Sequence, residues 1–161
     1  MADLLTHVLA AYVLLTVAGW RVAWLAPRWV AVGMGGAAIP DLVKVERLVD
    51  EGALQSALGV PFEYDPVGSL AGVLVLAGVI TLFFGHARRR VYGLLVAGGV
   101  LSLVLDGLRV YVDGSADFWL YPVWWRPPTP SLYVTSDVRV ALVAVAVSAG
   151  VFVLDSQVGT R

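Results

Sequence analysis

Four long apolar stretches constrain this chain more than any other feature of its sequence. They run from Leu4 to Leu25, from Val67 to Gly85, from Val91 to Leu105 and from Val140 to Leu154. The second contains no charged residue, and the third can continue through Asp106 to Val112. Each approaches the ~20 residues that a helix needs to cross ~30 Å of hydrocarbon. The pattern predicts four full membrane spans.

The composition agrees with a membrane protein and excludes several other classes. The 161 residues are 59% hydrophobic and 14% charged, whereas an ordinary soluble domain has about 25% charged residues. The net charge of -1 provides no basic field for nucleic acid. The chain has no cysteine, so it can form no disulfide and no zinc–thiolate site. We therefore predict one integral membrane domain, residues 1–161, that is all-α and has the lipid bilayer as its partner.

Two further helices are predicted between the first and second spans. The stretch from Trp29 to Ile39 is too short to cross a membrane, and it should break near Pro40, because proline lacks the N–H that a helix needs. From Asp41, apolar residues then recur at helical spacing with charged residues between them, as in an amphipathic helix lying in the membrane interface. Gly59 and Pro61 should end this helix.

Positive charges predict how the chain is oriented. Arg88, Arg89 and Arg90 lie in the short turn between the second and third spans, and short arginine-rich loops stay in the cytoplasm. The N-terminus is then outside, and the C-terminus with Arg161 is cytoplasmic. All of the twelve acidic residues except Asp155 fall outside or toward that face.

In this topology, four ionisable residues from different helices reach the same membrane face: His7, Asp41, Asp65 and Asp106. Ionisable residues at membrane depth are candidates for function. Three carboxylates and an imidazole also suit a divalent metal such as Mg, Mn or Zn.

Each of these residues also has a purely structural interpretation. His7 can hydrogen-bond to a carbonyl, Asp41 can cap the amphipathic helix, and Asp65 can be a solvated loop residue. Asp106 can form an ion pair with Arg109, which lies three residues further along the same helix. Ser69 and Ser102 have no base beside them in sequence, which argues against a serine nucleophile.

Small residues predict where helices pack closely, and aromatic residues predict where a loop lies at the membrane surface. Gly68 and Gly72 form a small-xxx-small pattern, and Gly93, Gly98 and Gly99 add further sites at which helices can pack closely. We expect these faces to support a homo-oligomer. The segment that joins the last two spans is rich in tryptophan, tyrosine and proline, which favours an ordered loop at the level of the lipid headgroups.

Three short motifs resemble those of a known family. They are Thr6-His7-Val8-Leu9, Ile39-Pro40-Asp41 after a glycine-rich helix, and Leu105-Asp106 followed by Leu120-Tyr121-Pro122. Over residues 3 to 125 the chain resembles the YdjM-like inner-membrane proteins, which are described as metal-dependent hydrolases. The resemblance implies an all-helical membrane fold and places His7, Asp41 and Asp106 among the metal ligands.

The chain departs from that family at two expected histidine ligands. Gly68 stands where the central motif has one histidine, and Ser102 stands where a histidine precedes the last aspartate by four residues. An aspartate usual after Pro-Asp is replaced by Val43 or Lys44. Neutral imidazoles favour zinc, so their loss leaves an oxygen-rich, weaker site or no catalytic site.

Three functions are therefore expected from the sequence. The first is a metal-dependent hydrolase acting near the outer membrane surface on a phosphoester or lipid-linked substrate, with the metal as Lewis acid. The second is a non-catalytic membrane protein of the same fold with a structural, ion-binding or partner-binding role. The third is a small transporter or channel subunit, which would need to oligomerise.

Overall fold

A computed structural model describes residues 2–116, 118–134 and 137–158, with backbone alone for Ala2, Asp3 and Val158. Asp117 and Arg161, which entered the assignment of sides, lie outside the described residues. The described chain is all-helical and contains no β-strand beyond two isolated bridges. The α-helices are α1 (Ala2–Gly19), α2 (Pro27–Ala37), α3 (Glu51–Leu58), α4 (Leu70–Leu82), α5 (Arg88–Gly107) and α6 (Val138–Val158). Two 3₁₀ helices cover Pro40–Arg47 and Asp65–Gly68.

Helix α5 lies at the centre and packs against α2, α4 and α1, whereas α6 packs mainly along α1. Helices α2 and α5 approach each other closely at glycine residues. A Cβ atom added at Gly98 would lie 1.9 Å from the carbonyl oxygen of Gly33, and one at Gly36 would lie 2.2 Å from that of Leu95. Gly98 and Gly99 thus serve packing within the chain, while a Cβ at Gly93 would meet no atom within 4 Å. Oligomerisation through glycine faces stays a prediction.

Arginines mark one end of the bundle, which we call the arginine end (Arg21, Arg28, Arg88, Arg89 and Arg90). The guanidinium of Arg90 lies 5.3 Å from the ring centre of Trp24, which joins the start of α5 to the turn between α1 and α2. At the same end, Trp20 Nε1 donates a 2.9 Å hydrogen bond to Asp155 Oδ1 near the end of α6.

The other end holds the candidate residues, and we call it the carboxylate end (Asp41, Asp65 and Asp106). Described residues of the segment between α5 and α6 pack against this end. Leu70 and Ala71, at the start of α4, donate backbone hydrogen bonds of 2.8 and 3.0 Å to the carbonyls of Trp119 and Tyr121. Tyr133 Oη donates one of 2.8 Å to the carbonyl of Leu105 at the end of α5.

The predicted helix boundaries are partly confirmed. Helix α2 ends just before Pro40, and Gly59, with φ of 68°, ends α3 as expected. The prediction that the first helix reaches Leu25 was wrong. It ends at Gly19, because the chain turns there so tightly that a Cβ at Gly19 would lie 2.9 Å from the Leu25 carbonyl oxygen.

The prediction of a single amphipathic helix was also wrong. The segment forms a 3₁₀ helix to Arg47 and then the separate helix α3. The break occurs because Asp50 takes an extended backbone (ψ of 139°) and caps α3, its Oδ2 accepting a 3.1 Å hydrogen bond from the amide of Ala53.

Among the described helices, α5 and α6 are long enough and apolar enough to cross a membrane. Only 11% of the apolar window of α6 is buried inside the protein. The apolar helices α1 and α4 are shorter; the 13 residues of α4 rise only ~20 Å at 1.5 Å per residue. The structure is thus compatible with a membrane protein.

Candidate functional site

His7 is the buried centre of the carboxylate end. It lies in the second turn of α1 and is 1% exposed. Its Nδ1 atom shares a 2.8 Å hydrogen bond with the hydroxyl of Ser102, which is fully buried on α5. A polar pair therefore holds α1 against α5.

Asp106 reaches the same histidine from the next turn of α5. Residues four apart lie on one face of a helix, so Ser102 and Asp106 both face α1. Asp106 Oδ1 lies 3.5 Å from His7 Nε2 and 3.0 Å from Arg109 Nη1. The ion pair with Arg109 expected from the sequence is therefore present, but Asp106 also lies beside His7. A carboxylate facing Nε2 favours the tautomer that carries its proton there, with Nδ1 accepting from Ser102.

Asp41 approaches the other ring nitrogen. It lies in the first turn of the 3₁₀ helix that follows Pro40, and its side chain is 8% exposed. Its Oδ1 pairs with Lys44 Nζ, while its Oδ2 lies 3.9 Å from His7 Nδ1. That distance is too long for a hydrogen bond. Within the described part of the chain, Asp41 Oδ2 is buried and has no hydrogen-bond partner.

A cavity of about 330 Å³ opens above these residues. Its lining includes five charged side chains, which are Asp41, Lys44, Asp65, Asp106 and Arg109. Tyr111, Phe118 and Trp119 contribute aromatic rings to its wall. Three carboxylates face two cations, so the lining carries one negative charge in excess when His7 is neutral.

The structure brings together three of the four predicted site residues. His7, Asp41 and Asp106 lie in one cluster, and Asp65 lines the same cavity with an exposed side chain at its rim. Helix α4 begins after Asp65, and the first turn of the preceding 3₁₀ helix places this residue at the carboxylate end.

These residues do not fit a metal centre in the arrangement described. The two aspartates lie nearest to different ring nitrogens, Asp41 to Nδ1 and Asp106 to Nε2, whose lone pairs point apart, whereas a metal ion needs its donors directed at one point. Among residues 2–116, 118–134 and 137–158, no group of three His, Cys, Asp or Glu side chains is placed to hold a metal ion. The residue that contacts His7 from α5 is Ser102, which supplies a hydroxyl group and not a second imidazole.

Sequence reasoning missed the role of Ser102. It has no base beside it in sequence, yet folding places His7, 95 residues away, within hydrogen-bond distance. The available signal was the four-residue spacing between Ser102 and Asp106. Ser102 is fully buried, so it is a partner of His7 and not an accessible nucleophile. Lys44 and Trp119 were also not assigned to the site.

No family model, no curated protein and no solved structure matches this chain. The resemblance to the YdjM-like family therefore remains a prediction from the motifs alone.

Proposed function

We propose that this chain is a multi-pass membrane protein that binds a small ligand in the cavity at its carboxylate end, on the outer side of the membrane. Its broad apolar surface supports a membrane location, because soluble monomers rarely expose large contiguous apolar patches. Leu142, Val143 and Phe152 on α6 are each more than 60% exposed. The arginine end then faces the cytoplasm, in agreement with the positive-inside rule.

One observation favours binding over hydrolysis: His7 is already engaged on both sides. Its Nδ1 bonds to Ser102, and its Nε2 faces Asp106. Each aspartate beside it also pairs with a cation, Lys44 or Arg109. This network is close to self-neutralised, and a catalytic metal site would instead leave its donors directed at a common point.

The metal-dependent hydrolase is the second candidate, and one atom favours it. Asp41 Oδ2 is buried without a hydrogen bond within the described residues, and a cation would give it a partner. His7, Asp41 and Asp106, with Asp65 at the rim, would be the ligands. This candidate requires Asp41 or His7 to move first, since the donors do not converge.

Metal content tests the choice between these candidates. Protein purified in detergent would be incubated with Mn²⁺, Mg²⁺ or Zn²⁺, separated from free ions and analysed by mass spectrometry of the elements. His7→Ala is compared with His86→Ala, which changes the other histidine at the exposed arginine end. Asp41→Asn is the second site variant, in case His7→Ala does not fold.

We expect far less than one ion per chain in every protein, and no metal-stimulated cleavage of a chromogenic phosphodiester. One ion per chain in the wild type and in His86→Ala, lost in His7→Ala or Asp41→Asn, would contradict the proposal and favour the hydrolase.

A further inference from the structure

We infer that the cavity at the carboxylate end takes a small zwitterion, a molecule that carries an ammonium group and an acidic group a few bonds apart. This inference rests on the proposed binding function and names its ligand. Its basis is that the cavity presents groups of both charge signs beside an aromatic wall.

The negative side of the cavity would receive the ammonium group. Asp41 pairs with Lys44 and Asp106 with Arg109, so the charge in excess corresponds to the third carboxylate, that of Asp65 at the rim. Deeper in, Asp41 also lines the cavity with a side chain that is 8% exposed, so its carboxylate adds to the negative charge that an ammonium group would meet there.

The positive side would receive the acidic group. Lys44 and Arg109 both line the cavity. An ammonium has three N–H donors and a guanidinium has five, so either can hold a carboxylate and a ligand oxygen at the same time. Arginine also binds phosphate and carboxylate oxygens in a fixed fork geometry.

The aromatic wall adds a contact for the ammonium group. An ammonium over a tryptophan or tyrosine ring is attracted by the π-electrons of its face. Trp119 and Tyr111 both lie in the cavity wall, where their rings can meet the ammonium group. Gly107 allows the Trp119 ring to lie here, since a Cβ atom at Gly107 would come within 2.5 Å of it.

Charge and size argue against other ligands. A simple anion would meet a lining with one excess negative charge, and a simple cation would make no use of the two cationic side chains of the lining, Lys44 and Arg109. The volume of about 330 Å³ lies at the lower end of the ~300–1,000 Å³ of small-molecule sites. A single headgroup or amino-acid-sized molecule fits this volume.

Calorimetry with matched probes tests the inference on the full chain in detergent. The probes are phosphoethanolamine, which carries both charges, and ethanolamine and inorganic phosphate, which carry one each. Asp65→Asn removes the rim carboxylate, and Glu63→Gln removes an exposed acid two residues away as the control. We expect phosphoethanolamine to bind at least tenfold more tightly than either half. Asp65→Asn should weaken this binding about threefold or more, and Glu63→Gln should leave it unchanged.

The source of the zwitterion is tested by reconstitution. If it is a lipid headgroup, nanodiscs of phosphatidylethanolamine should compete with the soluble probe, and nanodiscs of phosphatidylglycerol should not. If it is a free solute, the probe should bind equally in both. Either result supports a zwitterion, provided that phosphoethanolamine binds more tightly than its two halves in the detergent titration.

Three outcomes would overturn the inference. Equal affinity for one of the singly charged probes would rule out a zwitterion. Absence of binding by every probe, together with absence of metal, would refute the zwitterion named here but not the proposal that the cavity binds a small ligand. One stoichiometric metal ion that depends on His7 would overturn both proposals.

Discussion

Gly98 is the position at which one added methyl group should most disturb the bundle. In Gly98→Ala the new Cβ would lie 1.9 Å from the Gly33 carbonyl oxygen and 2.7 Å from the Ala37 nitrogen. A carbon and a carbonyl oxygen in contact lie about 3.3 Å apart. Helices α2 and α5 must therefore separate by more than about 1 Å. Both obstructing atoms belong to the backbone, so no side-chain rotation can relieve the clash.

Overpacking costs about 1–3 kcal/mol and occasionally more. Because this clash is between backbones, we expect a loss near the upper limit, about 3 kcal/mol, which is a roughly hundredfold change in the ratio of folded to unfolded protein. Detergent-solubilised protein would be unfolded with increasing denaturant and followed by circular dichroism. Gly93→Ala on the same helix is the control, because its Cβ would meet no atom within 4 Å. Equal stability of the two variants would refute the assigned α2–α5 contact.

Two further substitutions test the network around His7 by the same unfolding assay. Ser102→Ala should cost about 1 kcal/mol, because it leaves a buried histidine nitrogen without its partner. Ser148→Ala, which changes a buried serine without a hydrogen bond within the described residues, should cost nothing measurable, and equal losses would contradict the contact. Asp106→Asn should destabilise the protein more than Arg109→Ala, because Asp106 contacts both His7 and Arg109. A larger loss of stability in Arg109→Ala than in Asp106→Asn would indicate that Asp106 serves only as the ion-pair partner of Arg109.

Hydropathy and breaking residues predicted much of the helical framework. The apolar stretches around α4, α5 and α6 each contain a helix, and Pro40 marks the end of α2, because these signals are local in sequence. The end of α1 was not predictable in this way. Apart from Arg21, apolar residues continue to Leu25, but the chain turns after Gly19 to bring Leu25 into a core cluster with Val30 and Leu94.

The gathering of the candidate residues was predictable from topology, but their pairing was not. Alternation of helix direction places His7, Asp41 and Asp106 at one end. It does not say which ring nitrogen each carboxylate approaches, and that detail decides whether a metal has a common point to occupy. The hydroxyl of Ser102 contacts His7 directly. Such a contact between helices depends on side-chain packing and leaves no local pattern.

Single-cysteine labelling tests the arrangement of the bundle in the membrane most directly. The chain has no cysteine, so a substitution creates the one reactive thiol. Asp65→Cys and Arg89→Cys lie at the carboxylate and arginine ends, and both positions are exposed. In intact cells, a membrane-impermeant maleimide should label Asp65→Cys at once and Arg89→Cys only after lysis. Labelling of both variants in intact cells, or of Arg89→Cys alone, would contradict a membrane-spanning bundle with its cavity on the outer side.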